Sequence, residues 1–317
     1  MPRQRHDRVP GRDQDNRGRH PDPPGHVRGP LASRGLILRD PRPAGGAIGG
    51  SGPCGGGLSR TRPRDAPHTL RHLGIVGRTR GRNREAAELF TAAQQLYAEI
   101  GDRLGQANAL KNLGTVRYQQ GAYDAAISTL TSALHLYVDG EHRLGKANTV
   151  HELGVAHLMK GDLDSATRAL TAAHQAYIEV DAQLGQATSI KNLGVALRLA
   201  GSYPESAEKL TTAHERLSAI GVRDDEIDAL NDLGDLALDY PPAGDPRDYF
   251  GRALELAREH GLQLHEARAL TGQARSLIAT DPAAAVPLLR EAHAIYRSYE
   301  APQADSLAAT LDHAPSR

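Results

Sequence analysis

From about residue 67 onward, apolar and small residues fall at the spacing of an amphipathic helix. Leu110, Leu113, Gly114 and Arg117 mark an i, i+3, i+4, i+7 face, and Asp102 stands where an N-cap would sit. Gly121 interrupts that run, and a second face follows through Tyr123, Ala126, Ile127, Leu130, Ala133, Leu134 and Tyr137. Two antiparallel helices joined by a glycine turn are expected, with Gly114 and Ala126, twelve residues apart, letting them approach closely. No stretch alternates apolar and polar residues as a half-buried strand does, and the Ala and Leu content favours helix. The chain is therefore expected to be all-α.

The same pattern returns at a fixed step. Leu73-Gly74, Leu113-Gly114, Leu153-Gly154, Leu193-Gly194 and Leu233-Gly234 are each 40 residues apart. Ala93, Ala133, Ala173, Ala213 and Ala253 keep that step, as do Tyr97, Tyr137 and Tyr177 and the turn glycines Gly81, Gly121, Gly161 and Gly201. A weaker copy runs through Ala269-Leu270 to Tyr296. Units at about 67–100, 107–140, 147–180, 187–220, 227–260 and 267–300 follow, then a C-terminal capping helix. Helix pairs of this kind stack on their neighbours, so residues 66–317 are expected to form an α-solenoid of about six hairpins.

The set Leu110, Leu113, Gly114, Ala126, Leu130 and Ala133 resembles the tetratricopeptide repeat (TPR). The resemblance covers roughly 67–300, with a unit of 40 residues instead of the family's 34, as in the longer-helix branch of spindle scaffolds, kinesin light chains and bacterial regulators. It implies a right-handed solenoid and binding of a protein or peptide on the concave face. Asn112 and Asn192 in their N-L-G motifs, and the ending HEARAL…DPAAAVPLLREAHAIY, are similar to the TPR array of actinobacterial antibiotic-regulator (SARP/NB-ARC) proteins. That likeness implies a sensory or regulatory part of a signal-transducing transcription regulator. No DNA-binding or nucleotide-binding module is recognisable in this chain.

One stretch invites a different chemistry. GEHRLGKAN, Gly140 to Asn148, fits the start of a phosphate-binding loop, with Ala147 where the loop needs a Ser or Thr hydroxyl. Its counterparts one step away are GDRLGQAN and DAQLGQAT, in which Gly140 and Lys146 do not recur while Leu144, Gly145 and Ala147 do. The segment upstream is helical, whereas such a loop follows a strand. The stretch is read as the junction between two units.

Charge separates the chain into two parts. The formal net charge is zero, but residues 1–65 carry 13 Arg against 6 Asp, leaving 25 basic and 32 acidic groups in 66–317. Arg, Gly and Pro make up 36 of those 65 residues, with no Phe, Tyr or Trp. Such a segment buries too little apolar surface to offset its ordering entropy. It is read as a disordered tail or a stretch translated from a wrong start or frame. Without aromatics or regular RGG spacing it is not read as a nucleic-acid arm. Cys54 is the single cysteine, which excludes an intramolecular disulfide and a cysteine zinc cluster. No apolar run approaches a membrane span, no secretory signal is present, and a cytoplasmic location is expected.

Fifteen histidines supply no metal or catalytic spacing. No H-E-x-x-H pair occurs, His151 fills the slot held by Lys111 and Lys191, and no Ser-His-Asp or Cys-His arrangement has local support. No enzyme activity, cofactor or metal is expected. On the family's pattern the first helix of each pair turns Asn108, Lys111, Asn112 and Tyr118, then Asn148, His151 and Glu152, then Lys191, Asn192 and Arg198 towards the concave face. Amides there suit the backbone of an extended peptide, and Lys suits its acidic side chains. The family's carboxylate clamp is absent, since Lys111 is followed by Thr115 and the next copy offers Glu152. In the fifth copy Asp228, Asp232 and Asp235 belong to a run of seven acids with no base. They are read either as a solvated helix face or as the acidic end of a groove that orients a bound segment.

Overall fold

The computed structural model describes residues 65–299, 301 and 303–312. The expected tail, residues 1–65, lies outside the described residues except for Asp65. Among the described residues, twelve α-helices form six pairs and a thirteenth follows: α1 (Ala66–Thr79) and α2 (Asn83–Glu99), α3 (Arg103–Gln119) and α4 (Tyr123–Asp139), α5 (Arg143–Lys160) and α6 (Leu163–Glu179), α7 (Gln183–Leu199) and α8 (Tyr203–Ile220), α9 (Arg223–Asp239) and α10 (Pro246–Glu259), α11 (Gln263–Leu277) and α12 (Pro282–Ser298), then α13 (Gln303–Asp312). No strand occurs among the described residues. Each helix packs on the next in sequence, so the fold is an α-solenoid of helix hairpins.

The periodic positions have separate physical duties. Ala93, Ala133, Ala173, Ala213 and Ala253 are fully buried between helices. The glycine of each Leu-Gly pair lies under the large residue sixteen positions later. A Cβ built on Gly114 would fall 2.5 Å from Leu130 Cγ, and one on Gly154 would fall 2.7 Å from Leu170 Cγ. Gly74 and Gly234 meet Phe90 and Phe250 in the same way. Ala126, twelve residues after Gly114, is buried as expected, and its counterpart Ser206 donates to the Gly194 carbonyl at 2.8 Å. The side chain lying over the glycine itself is Leu130.

A second glycine series explains the apparent phosphate loop. A Cβ on Gly145 would lie 2.3 Å from Tyr137 Cδ1, and Gly105 and Gly185 stand equally close to Tyr97 and Tyr177. Each tyrosine ring thus lies against the first turn of the next hairpin. His142 caps that turn in α5, its Nδ1 accepting from the Gly145 N–H at 2.9 Å. Asp102 does the same for Gly105 in α3 at 2.8 Å. Lys146 is exposed, and Gly140 closes α4 with φ −89. The stretch is a hairpin junction.

Between hairpins the chain passes once through the left-handed region. Gly101, Gly221 and Gly261 hold that place with φ of +72, +81 and +65, while Glu141 and Asp181 hold it at +52 and +51. Gly101→Ala is expected to cost about 1 kcal/mol, the penalty of an L side chain in that conformation less the entropy removed from the unfolded chain. Nothing lies within 4 Å of an added Cβ there, so a urea midpoint that stays unchanged would show the backbone to be free of that constraint. In the fifth hairpin the glycine turn gives way to Tyr240–Asp245, whose prolines form a short 3-10 turn, Pro241–Ala243, after α9.

Candidate interaction surface on the first helices

Alternate helices also meet: α1 with α3, α3 with α5, α5 with α7, α7 with α9 and α9 with α11. The first helices of the hairpins thus make one continuous face, built from residues that share a register of 40.

At its edge runs a row of tyrosine-to-asparagine bonds. The Tyr137 hydroxyl donates to Asn108 Oδ1 at 2.7 Å, and the Tyr177 hydroxyl donates to Asn148 Oδ1 at 2.9 Å. The Tyr97 hydroxyl meets His68 Nδ1 at 2.9 Å in the equivalent place. Burial pushes the Tyr137 phenol up to about 12 and raises that of Tyr177 further, so both remain O–H donors at neutral pH. Each bond uses the amide oxygen and turns the half-buried Nδ2 donors away from it.

Further along, the expected site residues are engaged with one another. Tyr118 donates to Glu152 Oε2 at 2.6 Å, and Thr115 donates to the same oxygen at 3.3 Å. Burial first, and then the Glu152 charge, push the Tyr118 phenol well above its ordinary range. Asn192 Nδ2 donates to His151 Nε2 at 2.9 Å. Burial is the main cause holding that imidazole below its usual pKa, which fits the acceptor role. Arg198, 5 % exposed, reaches Asp239 at 2.5 Å. Lys111 and Asn112 are half-buried on α3.

The acidic positions differ most from the expectation. Asp228, Asp232 and Asp235 neither lie on a solvated face nor form an acidic groove end, because their side chains are only 8–15 % exposed and all are ion-paired. Arg268 lies 3.0 Å from Asp228, 2.5 Å from Asp232 and 3.5 Å from Asp235. Arg275 reaches Asp235 at 2.5 Å, and Lys191 lies 3.6 Å from Asp228. Lys191 is itself buried, so it presents no free ammonium. Burial alone would lower its pKa, but Asp228, Asp232 and Asp225 together raise it. His265 stands 3.7 Å from Asp228. Local reading of the fifth copy missed Arg268 and Arg275. They sit one period beyond Asp228 and Asp235, so the register itself was the signal that could have found them.

Among the described residues, no group of three or more His, Cys, Asp or Glu could hold a metal ion, and no helix is long and apolar enough to cross a membrane.

Residues 65–137 match the family model described as tetratricopeptide repeat. The fold is a solenoid of TPR-like hairpins. Solved structures carry the same fold over most of this chain. A Rap protein complexed with competence and sporulation factor superposes with a TM-score of 0.62 at 14% identity, covering 78% of this chain and 74% of that one. The quorum sensor NprR from B. thuringiensis gives 0.56 at 10%, covering 79% and 76%. A signal-transduction (STAND) ATPase with a TPR sensor, from Pyrococcus horikoshii, gives 0.59 at 15%, covering 78% of this chain and 38% of that one. No curated protein matches the chain.

Proposed function

We propose that the first-helix face of this TPR-like solenoid binds an extended segment of a protein or peptide partner, and that the protein acts as a non-enzymatic cytoplasmic scaffold. The observation that carries this reading is the row of oriented amides. Asn108 and Asn148 are fixed by tyrosine hydroxyls one period apart, a spacing suited to backbone carbonyls of a chain lying across successive hairpins. The paired positions Glu152, His151, Asn192 and Lys191 would support the floor of that surface more than grip the segment.

A second reading is the sensory part of a signal-transducing regulator whose nucleotide and DNA modules lie elsewhere. The likeness of fold to a STAND protein with a TPR sensor and to a quorum sensor favours it. A neighbouring reading frame encoding those modules would separate it from a free-standing scaffold.

The test is a pull-down with the full chain, followed by affinity measurement with the captured partner. Asn108→Ala with Asn148→Ala should weaken binding by about 1–3 kcal/mol, two hydrogen bonds of roughly 0.5–1.5 kcal/mol each, with helicity unchanged. Glu208→Ala with Lys209→Ala on α8, an exposed pair bonded to each other at 3.0 Å, serves as the control. A partner that tolerates the asparagine changes but loses affinity with the α8 pair binds the other face, and the reading fails.

A further inference from the structure

One helix face in the array lacks the partner that its counterparts have. Along α1 and its C-cap, Thr69, His72, Leu73, Val76 and Arg80 follow the i, i+3, i+4, i+7, i+11 spacing of a single face, and all five are exposed. Leu73 is 51 % and Val76 44 % exposed. At the same places in later copies Leu113 and Leu233 are 4 % and 3 % exposed, and Val116, Ala156, Ala196 and Leu236 are fully buried. What closes them is the second helix of the preceding hairpin. Leu113 and Val116 pack with Ala86 and Phe90 of α2, and Val155 and Ala156 with Ala126 and Leu130 of α4. Helix α1 presents the same half of that seam uncovered.

The closed seams define what fits. Each second helix offers a small residue, a large one four places on and another small one three places later, as Ala126, Leu130 and Ala133 do in α4. Charge is matched in the seam between α4 and α5. Lys160, two steps of 40 after Arg80, lies 2.6 Å from Asp124 in the first turn of α4. Arg80 has no such acid among the ion pairs of the described residues. An exposed pair of this kind adds little affinity but selects which helix fits and in which register. The chain's own sequence one step before Ala86, Phe90, Ala93 and Tyr97 reads Gly46, Gly50, Pro53 and Gly57, with none of the large side chains. In a second copy every second helix already lies between two other helices. Two α1 faces set together would also oppose like charges, since residues 66–84 hold five Arg and no Asp or Glu.

We propose that the outer face of α1 is an open seam that docks one amphipathic helix of another protein. That helix carries an acid in its first turn, then a small, a large apolar and a second small residue two, six and nine places on, the spacing of Asp124, Ala126, Leu130 and Ala133. Its apolar residues cover Leu73 and Val76, and its acid meets Arg80. Such docking needs nothing bound on the first-helix face.

The α4 sequence supplies the probe, because α4 closes the corresponding face of α5. A peptide of residues 122–139 is given an N-terminal Trp, which the chain lacks, so its own fluorescence reports binding. Ser128→Lys and Ser132→Asp, at exposed places one turn apart in α4, are joined by a lactam to hold the peptide helical. It should bind the full chain saturably, and at least about tenfold more tightly than its Leu130→Ala version, which removes the large side chain from the seam. In the full chain, Leu73→Asp with Val76→Asp should weaken binding by at least about tenfold, with circular dichroism unchanged because both places are exposed. Arg80→Glu should have a smaller effect that an Asp124→Lys peptide recovers, and absence of that recovery overturns the register drawn from Lys160. Undiminished binding to the Leu73, Val76 variant, or no saturable binding to the parent chain, overturns the open seam itself. A parent chain that sediments as a dimer and becomes a monomer with those two changes assigns the face to a second copy and equally overturns the proposal.

Discussion

Arg268→Met is expected to destabilise the hairpins around α9 and α11 by about 3–5 kcal/mol, the cost of removing one partner from a buried ionic group. Arg268 is 9 % exposed and is the shared cation of Asp228, Asp232 and Asp235. Without it, three carboxylates remain nearly buried, with Lys191, Arg275, Arg198 and His265 left to oppose them. Methionine fills a similar volume, so the loss measured is electrostatic rather than a cavity. Adding Asp232→Leu should recover part of it, because the most buried orphan is then removed as well. Urea unfolding followed by circular dichroism at neutral pH decides the matter, and a midpoint equal to the parent's would show the network to be screened by solvent. Acid behaviour gives an independent reading. Burial would raise Asp228 and Asp235, but their cations outweigh it and hold both below the ordinary carboxylate value. Their contribution is present above that value and disappears as pH falls through their depressed pKa values, below about pH 4. Asp232, raised chiefly by burial, acts with the opposite sign and offsets part of the loss. The acid limb should flatten in the Arg268 variant.

Gly154→Leu should cost about 1–3 kcal/mol by overpacking the third hairpin. The added Cβ would meet Leu170 Cγ at 2.7 Å and the Leu170 backbone nitrogen at 3.2 Å. The side chain could yield by changing rotamer, but the backbone of α6 could not. Because each hairpin touches mainly its neighbours, the strain stays local, and unfolding should separate into more than one step. A single transition at the parent's temperature would mean that α5 and α6 do not approach as described.

What could be read in advance, and what could not, follows from the range of each interaction. The helices and their turns were legible because periodic apolar positions and Gly121 or Gly161 act within a few residues. The oriented amides were only half legible. Asn108 was marked by its position on the first helix, but the tyrosine hydroxyl that fixes it comes from twenty-nine residues further on. The close approach at Gly114 was legible from the small residues, but Leu130 as the side chain over the glycine was not, because Ala126 and Leu130 lie on the same face of α4, one turn apart, and only the helix crossing selects between them. The acids of α9 looked unopposed for a similar reason: Arg268 belongs to the following copy, and only three-dimensional stacking turns a separation of forty residues into contact.

The tyrosine lying on the first-turn glycine of the next hairpin has a consequence for how such a chain can change length. Tyr137 covers Gly145, and Tyr177 covers Gly185 by the same contact. Removal of residues 141–180 by recombination would bring Gly185 under Tyr137, and duplication of the same span would create one more identical seam. No new interface has to be invented in either direction. Forty residues is therefore the quantum by which this solenoid can lengthen or shorten in evolution, while the residues on its first-helix face diversify one copy at a time.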